Sequence, residues 1–315
     1  MTQARKKLKA IGKVIAGFIL AILGLLALIA LIVAVVFSQL DKTNGKIVSS
    51  GQNRTYFLHV PANVDPAKPM PLVISIHGFA EWPAHQMRIS GWNDLADEYG
   101  FLVVYPSGTG FPRRWQAGGQ AADSGDPMLD VIFISDLIDE LEREYNIDPA
   151  RVYANGLSNG GGMSYLLGCK LSERIAAVGS VSGAYVFPLA VCNPSRLVPM
   201  IAFHGTADPI VPYQGGPSRD FNLPFPVIPE WMAARAELNG CAGAPSALPG
   251  SGEASGVRYS SCAQGADVVF YSIQGGGHAW PGGEPMPKWI VGHTTQDINA
   301  TRTMWEFFRQ FSIGD

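Results

Sequence analysis

A serine inside a glycine-rich pentapeptide is the first candidate for a catalytic residue in this sequence. Gly156-Leu-Ser158-Asn-Gly160 comes just after the predicted strand Arg151–Ala154 and precedes a segment compatible with a helix as far as Leu167. A serine on a sharp turn between a strand and a helix is a nucleophile elbow, where small neighbours let strand and helix approach closely. This setting favours a catalytic nucleophile at Ser158 over a glycine turn that only tightens packing.

An aspartate further along the chain fits the carboxylate that a serine nucleophile requires. The serine hydroxyl needs a base, and the base needs a carboxylate to orient it. Asp208 stands in a turn between Gly205 and Pro209, directly after the apolar run Val198–His204. We predict Asp208 as this acid, although an Asp-Pro pair is also an ordinary turn, and we expect His204 to pack at the end of its strand.

A histidine later still completes the order serine, acid, histidine that accompanies this type of elbow. His278 follows the apolar run Val268–Ile273 and lies among glycines, which suit a loop rather than a core. His293 is the other histidine after Asp208, and it lacks this setting. We therefore predict a catalytic triad of Ser158, Asp208 and His278.

The negative oxygen formed during acyl transfer needs two N–H donors. One is expected from the residue after the nucleophile, Asn159, and the other from a loop that follows an early strand. The apolar run from Leu72 ends in His77-Gly78-Phe79. We predict the backbone N–H groups of Phe79 and Asn159 as the oxyanion hole, with His77 fixing the first loop.

Apolar runs of strand length alternate with amphipathic segments, which predicts a mostly parallel sheet covered by helices on both faces. Ligands of such sheets bind beyond the carboxyl ends of the strands, where all the residues above fall. Two loop-rich stretches, Ser107–Met128 and Cys241–Gly265, could be lids over the site or solvated insertions. The remaining predicted strands are Arg54–Val60, Phe101–Tyr105 and Ala176–Val181, and the predicted helices are Asp130–Tyr145, Pro229–Leu238 and Thr301–Phe311.

An uncharged run of 24 residues, 14–37, follows an N-terminus whose five charged residues are all basic. At about 1.5 Å per residue it is long enough to cross a bilayer, and the basic flank places the N-terminus in the cytoplasm. We predict an uncleaved anchor, with a long signal sequence cleaved near Ser38 as the alternative. The sequence then divides into four segments, which are a basic cytoplasmic segment 1–13, the anchor 14–37, a stalk 38–51 and a catalytic domain 52–315.

The number of cysteines, four, is consistent with a catalytic domain outside the cytoplasm. An even number in an extracytoplasmic domain suggests two disulfides, and pairing of neighbours gives Cys169 with Cys192 and Cys241 with Cys262. Three connectivities are possible, and four buried thiols remain an alternative. No CxxC spacing supports a zinc site, so we predict no metal and no cofactor. The mildly acidic remainder of the chain gives no reason to expect nucleic acid as a partner.

The four motifs together resemble the secreted esterases of the polyhydroxybutyrate-depolymerase-like and feruloyl-esterase-like family. The resemblance covers roughly residues 45–315, and His204-Gly-Thr-Ala-Asp-Pro-Ile-Val-Pro-Tyr213 is its most specific part. It implies an α/β-hydrolase fold and hydrolysis of carboxylic esters through an acyl-enzyme, on feruloyl-type, acetyl or short hydroxyalkanoate esters. By position it also implies that Trp115 and Trp280 border the substrate.

Family members are usually released, whereas this sequence predicts an anchor. No polymer- or carbohydrate-binding domain is expected after residue 315, so a soluble ester or oligomer is expected rather than insoluble polyester. Two other functions stay open. A serine peptidase uses the same triad geometry, and a catalytically silent relative could act as a surface binding protein.

Overall fold

The computed structural model divides the chain into two compact units, Met1–Lys42 and Thr43–Asp315. The residues that it describes are 3–40, 42–62, 64–118, 126–218 and 223–314.

The first unit is a single helix, α1 (Gln3–Leu40). Its portion Lys7–Val36 is long and apolar enough to cross a membrane by length and composition, a test that a signal sequence also passes. Apolar side chains project from every side of this portion.

The second unit alternates strands and helices. Its described strands are β1 (Gly45–Ser49), β2 (Gln52–His59), β3 (Met70–Ile76), β4 (Leu102–Pro106), β5 (Ile147–Leu157), β6 (Ala177–Val181), β7 (Met200–Gly205), β8 (Ser246–Ser251), β9 (Ala254–Tyr259) and β10 (Val268–Ile273). Its described helices are α2 (Pro83–Ser90), α3 (Trp92–Tyr99), α4 (Pro127–Glu144), α5 (Asn159–Lys170), α6 (Ile228–Leu238), α7 (Lys288–Val291) and α8 (Ala300–Phe308), with 3₁₀ turns at Leu189–Val191 and Ala263–Gly265.

The strands form one sheet in the order β1-β2-β4-β3-β5-β6-β7-β10-β9-β8. The six strands from β4 to β10 in this order run parallel, and an antiparallel pair extends the sheet at each edge. Because the central strands are parallel, their carboxyl ends meet at one edge of the sheet. This is the α/β-hydrolase arrangement that the sequence predicted.

Each central strand contributes alternate side chains to two hydrophobic cores, one on each face of the sheet. In β3, Leu72 and Ile74 lie in the core covered by α4, α5 and α6. Val73 between them lies in the core covered by α2, α3 and α8. All three side chains are fully buried. Burial on both faces is the reason why these strands read as continuous apolar runs.

Two segments differ from the sequence prediction. Residues 45–49 of the predicted stalk form β1, which pairs with β2 along its whole length, so the stalk does not extend to residue 51. The stretch Cys241–Gly265 contains the antiparallel hairpin β8–β9 at one edge of the sheet, and its outer strand β8 is largely exposed, as in the solvated insertion that was one of the two alternatives. Residues 119–125 of the other loop-rich stretch lie outside the described residues.

Both disulfides join neighbouring cysteines. Cys169 at the end of α5 is bonded to Cys192, and Cys241 after α6 is bonded to Cys262. The predicted pairing is therefore confirmed. Each bridge closes a short loop beside a helix end, which reduces the conformational freedom of the unfolded chain.

Candidate active site

Ser158 occupies a strained turn between β5 and α5. Its backbone has φ 57° and ψ −118°, a conformation that side-chain-bearing residues adopt only at a cost. The glycines beside it are required by space. A Cβ on Gly160 would lie 2.2 Å from the Ile76 carbonyl oxygen, and one on Gly156 would lie 2.5 Å from the same atom. The local sequence thus allows a close crossing of β3 and α5, with Ser158 at the end of the sheet.

Asp208 follows β7, and its two carboxylate oxygens have separate partners. Oδ1 accepts hydrogen bonds from the backbone N–H groups of Ile210 (2.8 Å) and Val211 (2.9 Å). Oδ2 lies 2.8 Å from Nδ1 of His278. Burial alone would raise the pKa of Asp208, but the neighbouring His278, His204 and the Val211 N–H together lower it. Asp208 is thus an ionised acceptor.

The hydrogen bond to Asp208 determines which nitrogen of His278 carries the proton. An ionised carboxylate only accepts, so Nδ1 of His278 must donate. In the neutral imidazole, Nε2 then has a free lone pair and is the basic atom. Both side chains are buried, with 6% of the His278 side chain and none of the Asp208 side chain exposed.

The loop that carries His278 is packed against the end of α7 and the chain directly after it. The backbone N–H groups of Gly277 and His278 donate to the carbonyls of His293 (2.8 Å) and Val291 (2.6 Å). The imidazole of His293 points elsewhere, to Oε2 of Glu253 at 2.9 Å, and is 39% exposed. His293 therefore supports the loop through its backbone, and its side chain lies outside the Asp208–His278 pair.

The carboxyl ends of three strands in one half of the sheet carry these residues. Ser158 follows β5, Asp208 follows β7 and His278 follows β10. β6 separates β5 from β7, and β7 is directly paired with β10. The structure thus places all three at the same edge of the sheet and joins two of them by a hydrogen bond.

The loop after β3 lies against the Ser158 turn. A Cβ on Gly78 would lie 3.4 Å from the Cβ of Ser158. The next residue, Phe79, is one predicted N–H donor. The other, Asn159, is the first residue of α5, and the N–H groups of a first helical turn have no partner inside the helix. Both predicted donors thus come from backbone next to Ser158.

His77 fixes the conformation of the loop that holds Phe79. Its Nδ1 donates to the Gly78 carbonyl (2.7 Å), and its Nε2 accepts from the Gly108 N–H (2.9 Å). The ring is completely buried, and this burial lowers its pKa to about 4. A neutral ring with one donor and one acceptor is the state that these two bonds need.

The buried His77 makes the fold sensitive to acid. Its folded pKa lies below the unfolded value of about 6.5, so between these values only the unfolded chain binds the proton. The stability contribution of His77 is complete at neutral pH and falls as the pH drops below about 6.5. We expect urea unfolding to give a free energy about 2 kcal/mol smaller at pH 5 than at pH 7 from this residue. His77→Gln should lose that part of the pH dependence, and an unchanged slope in the variant would refute the assignment.

Trp115 lies in the loop after β4, and Trp280 follows His278 by two residues. Both indoles are buried, with 3% and 1% exposed. The Trp115 indole N–H donates to the His77 carbonyl (3.0 Å), and that of Trp280 donates to Oγ1 of Thr301 (2.8 Å). Almost all of the surface of both indoles is packed against protein, and contact of either indole with a substrate stays a prediction.

Two residues make contacts near the site that were not predicted from the sequence. His204, which was expected only to pack, donates from Nε2 to the Val211 carbonyl (2.9 Å) and lies 3.4 Å from Oδ2 of Asp208. Glu81 accepts from the Gly78 N–H at 2.9 Å. The four-residue spacing of His204 and Asp208 was the one available signal, whereas nothing in the sequence singled out Glu81.

Comparison with known proteins identifies similar chains among esterases. The family described as esterase PHB depolymerase matches residues 54–211, about half of the chain. NocK of Nocardia uniformis subsp. tsuyamanensis, whose name assigns it to the esterases, is 31% identical over 284 residues, which cover 84% of this chain and 82% of NocK. Feruloyl esterase C of Emericella nidulans is 28% identical over 275 residues, 84% of this chain and 87% of its own.

The fold also has solved counterparts. The acetyl xylan esterase from Aspergillus awamori aligns with a TM-score of 0.58 over 84% of this chain and 98% of its own. The two sequences are 17% identical, so this similarity is one of fold.

Proposed function

Because the chain belongs to the PHB depolymerase family of esterases and is a carboxylic ester hydrolase, we propose that it works through a serine-bound acyl-enzyme. In this proposal Ser158 is the nucleophile, His278 the base and Asp208 the acid that orients the base. The hydrogen bond from His278 Nδ1 to Asp208 carries the proposal, because it leaves Nε2 of His278 as a base at the edge of the sheet that holds Ser158.

The first half of the reaction acylates the serine. Ser158 Oγ attacks the ester carbonyl carbon while its proton passes to Nε2 of His278. The carbonyl oxygen becomes negative and is bound by the N–H groups of Phe79 and Asn159. The C–O bond to the alcohol then breaks, and the alcohol leaves with the proton held by His278.

The second half regenerates the enzyme. A water molecule gives its proton to Nε2 of His278 and attacks the acyl carbon, through a second negative oxygen in the same hole. The bond to Ser158 breaks, the acid is released, and the proton returns to the Ser158 oxygen. Asp208 stays ionised throughout and stabilises the charged imidazole.

We propose feruloyl-type, acetyl or short hydroxyalkanoate esters as the substrates, in soluble or oligomeric form. The name of the related feruloyl esterase C supports the first class. The family description supports the third. Rates on methyl ferulate, acetylated xylan and hydroxybutyrate oligomers would rank the three classes.

A fluorophosphonate probe tests the serine mechanism, because it reacts with an activated serine and stays bound. We expect labelling of the wild type and none of Ser158→Ala. A folded wild-type chain without labelling would overturn the proposal and favour a silent binding protein. Faster cleavage of peptide amides than of esters would favour the serine peptidase alternative.

We further propose that residues 14–37 anchor the chain, with the catalytic domain outside the cytoplasm. Two disulfides support the extracytoplasmic side, since such bonds persist in oxidising compartments. The full chain is expected to sediment with membranes and to stay there in high salt, because apolar burial rather than surface charge holds it. A chain beginning near residue 41 should be soluble and active. Protein cleaved near Ser38 and found free in the medium would replace the anchor with a signal sequence.

A further inference from the structure

The loop after β4, residues 107–116, bonds to Asn159 and to the residues on both sides of Phe79, and it is called the brace loop below. On one side it holds Asn159. The Trp115 backbone N–H donates to Oδ1 of Asn159 (2.7 Å), and Nδ2 of Asn159 donates back to the Trp115 carbonyl (3.0 Å). Two opposed hydrogen bonds fix both the position and the orientation of this carboxamide, and with it the first residue of α5.

On its other side the brace loop holds the chain around Phe79. The Trp115 indole N–H donates to the His77 carbonyl (3.0 Å), and the Gly108 N–H donates to Nε2 of His77 (2.9 Å). The Ala80 N–H donates to the Arg113 carbonyl (2.8 Å). Bonds before and after Phe79 thus determine where its N–H group lies.

A buried ion pair fixes the brace loop itself. Nη2 of Arg54 lies 2.7 Å from Oδ1 of Asp130 and 3.3 Å from the Ser107 carbonyl. Oδ2 of Asp130 accepts from the Gln116 N–H at 2.8 Å. The side chains of this pair are 5% and 2% exposed. One charged pair inside the core therefore ties down the first and the last residue of the loop.

We propose that the brace loop sets the separation of the two oxyanion donors, with Trp115 as the positioning residue. This inference rests on the proposed function and adds a role to it. Phe79 and Asn159 belong to different segments of the chain, and Trp115 is the residue bonded to both segments. An oxyanion hole stabilises the transition state only when both donors are already in place, and a misplacement of about 1 Å can lower a rate 100-fold.

The variant Trp115→Phe removes the bond to His77 and keeps the backbone bonds to Asn159. We expect kcat on a p-nitrophenyl ester to fall about 10- to 100-fold while KM changes less than about threefold. Phenylboronic acid forms a tetrahedral adduct on a serine hydroxyl, so its inhibition constant should rise by a factor similar to the loss in kcat/KM. Such a parallel change is specific to transition-state stabilisation.

The matched control is Trp92→Phe. Trp92 is also fully buried, and its indole N–H also makes one buried hydrogen bond, to Oδ1 of Asn155 at 3.0 Å. Both variants should lose similar thermal stability, whereas Trp92→Phe should keep kcat and phenylboronic acid affinity within about twofold. Equal losses of kcat and of phenylboronic acid affinity in the two variants would overturn the proposed role of the brace loop.

Asn159→Ala is the second variant, in case Trp115→Phe does not fold. It keeps the backbone N–H of residue 159 and removes both bonds to Trp115, so the same 10- to 100-fold loss of kcat is expected. Full kcat in this variant would overturn the proposal.

Binding of phenylboronic acid to Ser158→Ala tests the proposed serine mechanism independently of the brace loop. Phenylboronic acid should inhibit the wild type, and Ser158→Ala should not bind it. If Ser158→Ala binds the inhibitor as well as the wild type does, the serine mechanism fails and the brace fails with it. If that control behaves as expected and Trp115→Phe matches Trp92→Phe, only the brace fails.

Discussion

Ser158→Ala is expected to lower kcat on a p-nitrophenyl ester by about 10⁴- to 10⁶-fold. The hydroxyl supplies the atom that attacks, so no remaining group can form the acyl-enzyme. A small rate above that in water should persist, because the proposed oxyanion hole still stabilises the negative oxygen. The Ser158 side chain accepts no capping hydrogen bond from the backbone N–H groups of α5, so unfolding by heat should change little. Steady-state kinetics and thermal unfolding of the purified variant test both parts.

Ser164→Ala provides the control within the same helix. Its hydroxyl is buried and donates to the Gly160 carbonyl at 2.9 Å. The variant therefore loses one buried hydrogen bond but no group that takes part in the proposed reaction. We expect its kcat to stay within a few-fold of the wild type. If Ser158→Ala kept a tenth of the wild-type rate, the nucleophile would have to be sought elsewhere.

The central sheet could be predicted from sequence because its strands are buried on both faces. β4 reads as an apolar run and β3 as a nearly continuous one that only Ser75 interrupts, and all their residues are buried in the structure. The edge strands carry no such signal. β8 is largely exposed and contains proline and glycine, and β1 is a short strand that mixes polar and apolar residues. Edge strands form through pairing with a neighbour, which sequence patterns do not reveal.

The proposed triad was accessible from the sequence because each member follows a strand within a distinctive motif. The residues that hold the site in place could not be predicted from the sequence, since they depend on contacts between distant segments. Trp115 bonds to Asn159 from a loop 44 residues earlier, and its buried indole N–H donates to the His77 carbonyl. The resemblance could indicate that such tryptophans lie near the site, but not which way their rings face.

Asp208→Asn is expected to keep the fold and lower kcat by about three to four orders of magnitude. Oδ1 of Asp208 accepts from two backbone N–H groups, so the amide oxygen of the asparagine must take this place. Its NH₂ group then faces Nδ1 of His278, where the carboxylate oxygen was. An NH₂ group only donates, so Nδ1 becomes the acceptor and the proton moves to Nε2. The atom that should take the Ser158 proton is then blocked. Steady-state rates at neutral pH test the loss of kcat, and circular dichroism tests whether the variant keeps the fold.

His278→Ala and His293→Ala together test the choice of base. His278→Ala removes the proposed base and should lower kcat by about 10⁴-fold or more, as Ser158→Ala does. The imidazole of His293 makes a half-exposed contact to Glu253, while the bond that supports the loop comes from its backbone carbonyl, which alanine keeps. His293→Ala should therefore cost less than about threefold in kcat, since exposed ion pairs contribute little. A severe loss in His293→Ala with a mild one in His278→Ala would reverse the assignment, because the base would then be the histidine held by Glu253.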